Sequence, residues 1–120
     1  MKNTSKKFLK LPEYPGGKDA FRKYIKDNLI YPEDAIKQEV EGIVHVEASI
    51  NDNGEVVNVI IKNGIGSGCD EEAIRLIQNI QFSGVKNRGV RVITKKKFRI
   101  EFILPPNKQV NYQLIIISLI

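Results

Sequence analysis

Residues 41–63, EGIVHVEASINDNGEVVNVIIKN, carry two runs of alternating apolar and polar side chains on either side of Asp52-Asn53-Gly54. A period of two is that of a half-buried strand, and Asn-Gly favours the positive φ of a tight turn, so the stretch predicts one antiparallel hairpin. On its first arm Val44, Val46, Ala48 and Ile50 share one face, and His45, Glu47 and Ser49 the other. On its second arm Val57, Val59 and Ile61 form the expected apolar track, with Asn58 and Lys62 opposite. Two strands alone are marginal in water, so the rest of the chain must supply a third strand and a cover for the apolar face.

The remaining elements follow in order. Residues 1–11 are basic and polar and are expected to be mobile, because few side chains there repay ordering. Pro12-Glu13-Tyr14-Pro15-Gly16-Gly17 is a punctuated turn. Residues 18–30 predict a helix with a narrow stripe of Phe21, Tyr24, Ile25 and Leu29, stopped by Tyr31-Pro32. Pro32 at a first helical position, followed by Glu33 and Asp34, starts a short second helix to about residue 39. Gly64 to Gly68 is a connector, and Asp70 is the expected cap of a helix to about Ile80 with Ala73, Ile74, Ile77 and Ile80 inward. After a loop over 82–89, residues 90–104 alternate: Val92, Phe98, Ile100 and Phe102 lie on one track, Arg91, Lys95, Lys97, Arg99 and Glu101 on the other. Right-handed crossover sets this strand parallel to the second arm, and if it also pairs antiparallel with the first arm the order is second arm, first arm, third strand. The third strand is then an edge, and its expected length implies an unpaired overhang that is either protected or used.

Composition narrows the function classes without choosing one. The 120 residues make a single domain, and nineteen Lys plus Arg against fourteen Asp plus Glu give a net charge of +5, suited to nucleic acid, an anionic membrane surface or an acidic peptide. Cys69 is the only cysteine, so no intrachain disulfide can hold the fold. The lysine-bearing start lacks the apolar core of a signal peptide, and no stretch approaches the ~20 apolar residues of a transmembrane helix. As written, the chain carries no export signal or anchor and is expected to be soluble.

Tyr31-Pro32, then residues 40–46 (VEGIVHV), 53–59 (NGEVVNV), Asp70-Glu71-Glu72-Ala73, Phe82 and a closing Phe98-Arg99-Ile100-Glu101-Phe102 together resemble the TonB C-terminal domain. The likeness covers about residues 12–104, with the segment from Pro12 similar to an extension found in one large subgroup. It implies an α+β fold, β-β-α-β, with extra N-terminal helices; outside the likeness, the residues themselves mark the basic start over 1–11 as mobile and the apolar tail over 105–120 as a candidate C-terminal strand. It implies a non-enzymatic energy transducer without a cofactor. Such domains add the TonB box of outer-membrane transporters to a sheet edge and pass on force from a proton-driven inner-membrane motor. Carried over by position, the partner surface is Tyr31, Pro32, Arg91, Lys95, Lys97, Phe98, Arg99, Ile100, Glu101 and Phe102. A full family member is periplasmic and anchored in the inner membrane, so contact with the motor requires an anchor in the full protein. Cys69 stands where the family has an apolar residue, and the tail lies past the usual end. A homodimer through edge or tail stays open.

Each sharper reading has a plain counterpart. Gly64, Gly66 and Gly68 fit neither phosphate-binding spacing, and Asp70 sets negative charge where a phosphate would sit, so they read as a connector. His45, the sole histidine, lacks a surrounding ligand cluster, and Cys69 lacks a catalytic partner. Asp70, Glu71 and Glu72 suit a helix start, and Lys95 to Lys97 read first as edge protection. No catalytic or metal site is expected. The alternative function is a small basic nucleic-acid-binding domain, which is less favoured because the wet face offers His45, Glu47 and Asn58 rather than aromatics for base stacking. The tail, Gln113 to Ile120, reads as an extra strand or frayed end, or as an occupant of the partner's edge.

Overall fold

In the computed structural model, which describes residues 10–87 and 91–105, β1 (Gly42–Ile50) is the middle strand of the sheet. It lies antiparallel between β2 (Val56–Asn63) and β3 (Thr94–Phe102), so the third strand does pair with the first arm and the order is β2-β1-β3. Val44, Val46, Ala48 and Ile50 are buried to within 1% on one face, as their alternation requires. The tail over 106–120, the start over 1–9 and the head of the expected third strand at Val90 lie outside the described residues.

The hairpin departs from expectation at its turn. Only Gly54 takes positive φ, at 83°, while Asn53 does not. The Gly54 amide donates to the Asn51 carbonyl at 3.0 Å and the Asn51 amide to that of Glu55 at 2.9 Å, the pattern of a three-residue loop with glycine in the left-handed position. The Asn51 side-chain oxygen fastens it by accepting from the amides of Asn53 and Glu55. A register shift beside Ile50 then sets Val56, rather than the expected Val57, inward, and leaves Val57 55% exposed. A bulge inserts one residue, so every side chain before it changes face.

α3 (Cys69–Gln78) covers the inner face with Cys69, Ala73, Leu76 and Ile77, and Ile80 follows just beyond its end. Leu76, absent from the expected stripe, is fully buried, whereas Ile74 is only half-buried. Asp70 does not cap the helix. It lies inside the first turn, and its carboxylate accepts the amides of Ile65 at 2.8 Å and Gly66 at 3.3 Å. The connector is thus folded over the chain's own carboxylate, and a Cβ on Gly64 would meet Asp70 Oδ2 at 2.2 Å.

α1 (Gly17–Asn28) and α2 (Glu33–Lys37) are both shorter than their patterns. Leu29 turns to extended geometry ahead of Tyr31-Pro32, and Pro32 sits at the N-cap of α2 rather than inside it. β3 is shorter too. Its nine residues pair one for one with the nine of β1, so the expected overhang does not form. The run before Thr94 alternates but has no stretch of β1 left to pair with. Lys10, expected to belong to a mobile start, is tied down. Its amide donates to Asn87 Oδ1 at 2.7 Å and its carbonyl accepts from Asn87 Nδ2 at 3.1 Å.

Candidate functional site

Among the described residues the sheet has three strands, so β3 has β1 on one side and no strand on the other. Its inner track is Thr94, Lys96, Phe98, Ile100 and Phe102, of which Thr94, Ile100 and Phe102 are buried. Its outer track is Lys95, Lys97, Arg99 and Glu101, all exposed. Across the outer face Lys97 lies opposite Glu47 and Arg99 opposite His45. This face is charged and, apart from the His45 imidazole, carries no aromatic side chain on β1 or β3, which suits a wet surface better than base stacking.

α1 lies beside this strand, held there by named contacts. Phe21 stacks on Phe98 with centroids 5.1 Å apart, and Phe82 adds a second ring at 5.9 Å from Phe98. Tyr14 meets Phe21 and Phe82 edge-on. The Tyr24 hydroxyl donates to the Leu76 carbonyl at 2.7 Å, and burial raises its pKa. At the far end Glu72 accepts the Ile30 amide at 2.7 Å and two hydrogen bonds of 2.7 Å from Arg75, whose guanidinium also reaches the Asn28 carbonyl at 2.9 Å. The bond to Glu72 raises the Arg75 pKa. A two-point charge-assisted clamp of this kind fixes orientation as well as distance.

Between helix and strand runs a groove of about 910 Å³, lined by Phe21, Arg22, Ile25, Lys26 and Leu29 from α1 and by Arg99, Glu101 and Ile103 from the strand side. It has inner-face helix residues on one wall and outward-facing strand residues on the other, while β1 occupies the opposite edge. The groove therefore follows the edge of β3 that no described strand covers. A second, smaller concavity at the start of the strand is lined by Tyr14, Phe21, Phe82 and Phe98 with Lys18, Lys96 and Glu13.

The carried-over partner residues divide into three groups. Lys95, Lys97, Arg99 and Glu101 stand together on the exposed side of β3, and Phe98 is half-buried against α1. Ile100 and Phe102 point into the core, so only their backbone is available to a partner strand. Tyr31 is 6% exposed, packs edge-on against Phe102 at 5.5 Å and donates its hydroxyl to the Val40 carbonyl. Burial pushes its pKa up to about 12. Tyr31 thus supports β3 from below, with Pro32 half-buried beside it and Arg91 exposed ahead of the strand. The groove wall from α1 is absent from the carried-over set. Its signal was the narrow stripe of Phe21, Ile25 and Leu29 flanked by Arg22 and Lys26, too narrow to serve the core alone.

Cys69 is a free, fully buried thiol whose pKa burial raises to about 11, the opposite of an activated nucleophile. Among the described residues no group of three His, Cys, Asp or Glu side chains is placed to hold a metal ion, and no helix is long and apolar enough to cross a membrane.

Among the described residues, a three-stranded antiparallel sheet covered on one face by helices and flanked by a helix along one edge defines an α+β domain of the β-β-α-β type. The family model described as Gram-negative bacterial TonB protein C-terminal matches residues 27–104, more than half of the chain. The chain belongs to this family, whose members are transport-associated domains. No curated protein and no solved structure matches the chain.

Proposed function

We propose that this domain is a TonB-like energy-transducer module that takes up the TonB box of an outer-membrane transporter as a strand added to β3. One observation carries the reading: β3 is regular over nine residues, is bordered by no described strand on its outer side, and is flanked there by a groove. Backbone pairing supplies affinity in such an addition, and alternate side chains supply selectivity. The task belongs in the periplasm, and it couples proton-motive force to import only through a membrane anchor reaching the motor complex in the full protein. Tyr31 contributes by bracing Phe102, and Lys95, Lys97 and Arg99 contribute by steering an acidic segment.

Titrating the isotope-labelled chain with a synthetic TonB-box peptide tests this. Shifts that concentrate on the amides of β3, with smaller ones along α1, are the expected result. Unchanged spectra at ~1 mM peptide, where even a weak complex forms, would remove the reading.

A further inference from the structure

α1 ends at Asn28, so all but two of its residues precede the family match at 27–104, yet it forms one whole wall of the groove beside β3. We infer that α1 is the selectivity wall of this edge, and that the segment it accepts is an extended acidic strand with apolar side chains at alternate positions. The inference rests on strand addition at β3 and names the chemistry of what is added.

An added strand sends successive side chains to opposite faces. Those directed inward meet Phe21, Ile25 and Leu29, which are only partly buried and leave apolar surface in the groove. Those directed outward continue the charged face of Lys95, Lys97, Arg99 and Glu101. The rim is unbalanced. Arg22, Lys26 and Arg99 face the groove against Glu101 alone, and Lys18, Lys96 and Lys97 line the adjoining concavity against Glu13. Among the described residues Arg22 is offset by a solvent-exposed contact with Asp19 at 3.6 Å, which contributes little. The wall is also preformed, because the Phe21–Phe98 stack, the Tyr24 hydroxyl and the Glu72–Arg75 clamp hold α1 at both ends. A preformed wall selects its partner without an ordering cost of its own.

The test uses the full chain and two acetylated eight-residue peptides, one alternating glutamate with valine and one alternating lysine with valine, followed by fluorescence anisotropy. Arg22→Glu/Lys26→Glu alters exposed side chains and leaves the apolar contacts intact. The glutamate peptide should bind the parent chain, lose about tenfold in affinity to the double variant at low salt, and lose most of that difference at ~0.5 M salt. The lysine peptide should show the reverse preference. Lys62→Glu, on the far edge, should change neither. Three results would overturn the inference. If a TonB-box peptide binds parent and double variant equally, α1 is no selectivity wall while strand addition stands. If no peptide binds any variant, strand addition falls as well. If binding appears only after residues 107–120 are deleted and ignores salt and both reversals, the occupant is the uncharged Gln113–Ile120 segment of the chain itself.

Discussion

The two edges of the sheet are built differently. β2 joins β1 through two register shifts, one between His45 and Val46 and one between Ser49 and Ile50, and it leaves Val57 and Ile60 exposed singly. β3 joins the same strand through nine unbroken pairs and is flanked by a helix. Bulges twist and interrupt a row of backbone donors and acceptors, which is how an edge is kept from recruiting a stray strand. The β2 edge is therefore blunted, and the β3 edge is kept straight and walled. One sheet thus has an interrupted edge and a regular one, and the proposed strand addition falls on the regular one.

The largest effect should come from breaking the turn that begins β2. Gly54→Ala places a side chain at a φ of 83° and 2.0 Å from the Phe82 carbonyl oxygen, and should cost about 3 kcal/mol or more in denaturant unfolding. Next comes the wall of the other edge. Phe98→Ala removes the one ring that stacks on Phe21 and tilts on Phe82, and should lower stability by about 2–3 kcal/mol while weakening peptide binding further than the lost stability explains.

A smaller effect lies in alkaline solution. Tyr31 rises from 10.0 to about 12 and Cys69 from 9.0 to about 11, each chiefly through burial. The folded chain then holds protons that the unfolded chain has lost, so this stabilisation is complete below pH 9 and fades as pH passes through 11 to 12. Thermal melts across that range should show a falling midpoint, and Tyr31→Phe should flatten the upper part of the slope. The smallest effect is on the blunted edge. Lys62 meets Glu47 at only 4.0 Å with its side chain 51% exposed, so Lys62→Ala should shift stability by less than about 0.5 kcal/mol.

Much of this arrangement is legible before any coordinates. The alternation of Val44, Val46, Ala48 and Ile50 marks β1 and its buried face, and crossover handedness, once the third strand is paired with the first arm, leads to the sheet order. What alternation does not carry is an inserted residue, which is why the pattern assigns Val57 rather than Val56 to the inner face. It also overextends β3, because strand pattern continues past the point where β1 has residues to pair. Asp70 resembles a cap by spacing, but a flexible glycine connector lets its carboxylate reach back to the loop amides. At the candidate site the charged track of β3 and the helix over 18–30 are readable, whereas the place of α1 beside β3 is not, since it depends on a ring stack between residues far apart in the chain.

Amide hydrogen exchange on the full chain, with and without a TonB-box peptide, reads both edges at once. The account predicts slowed exchange along the outer side of β3 and no change along β2. Protection that falls on β2, or equally on both edges, would contradict it.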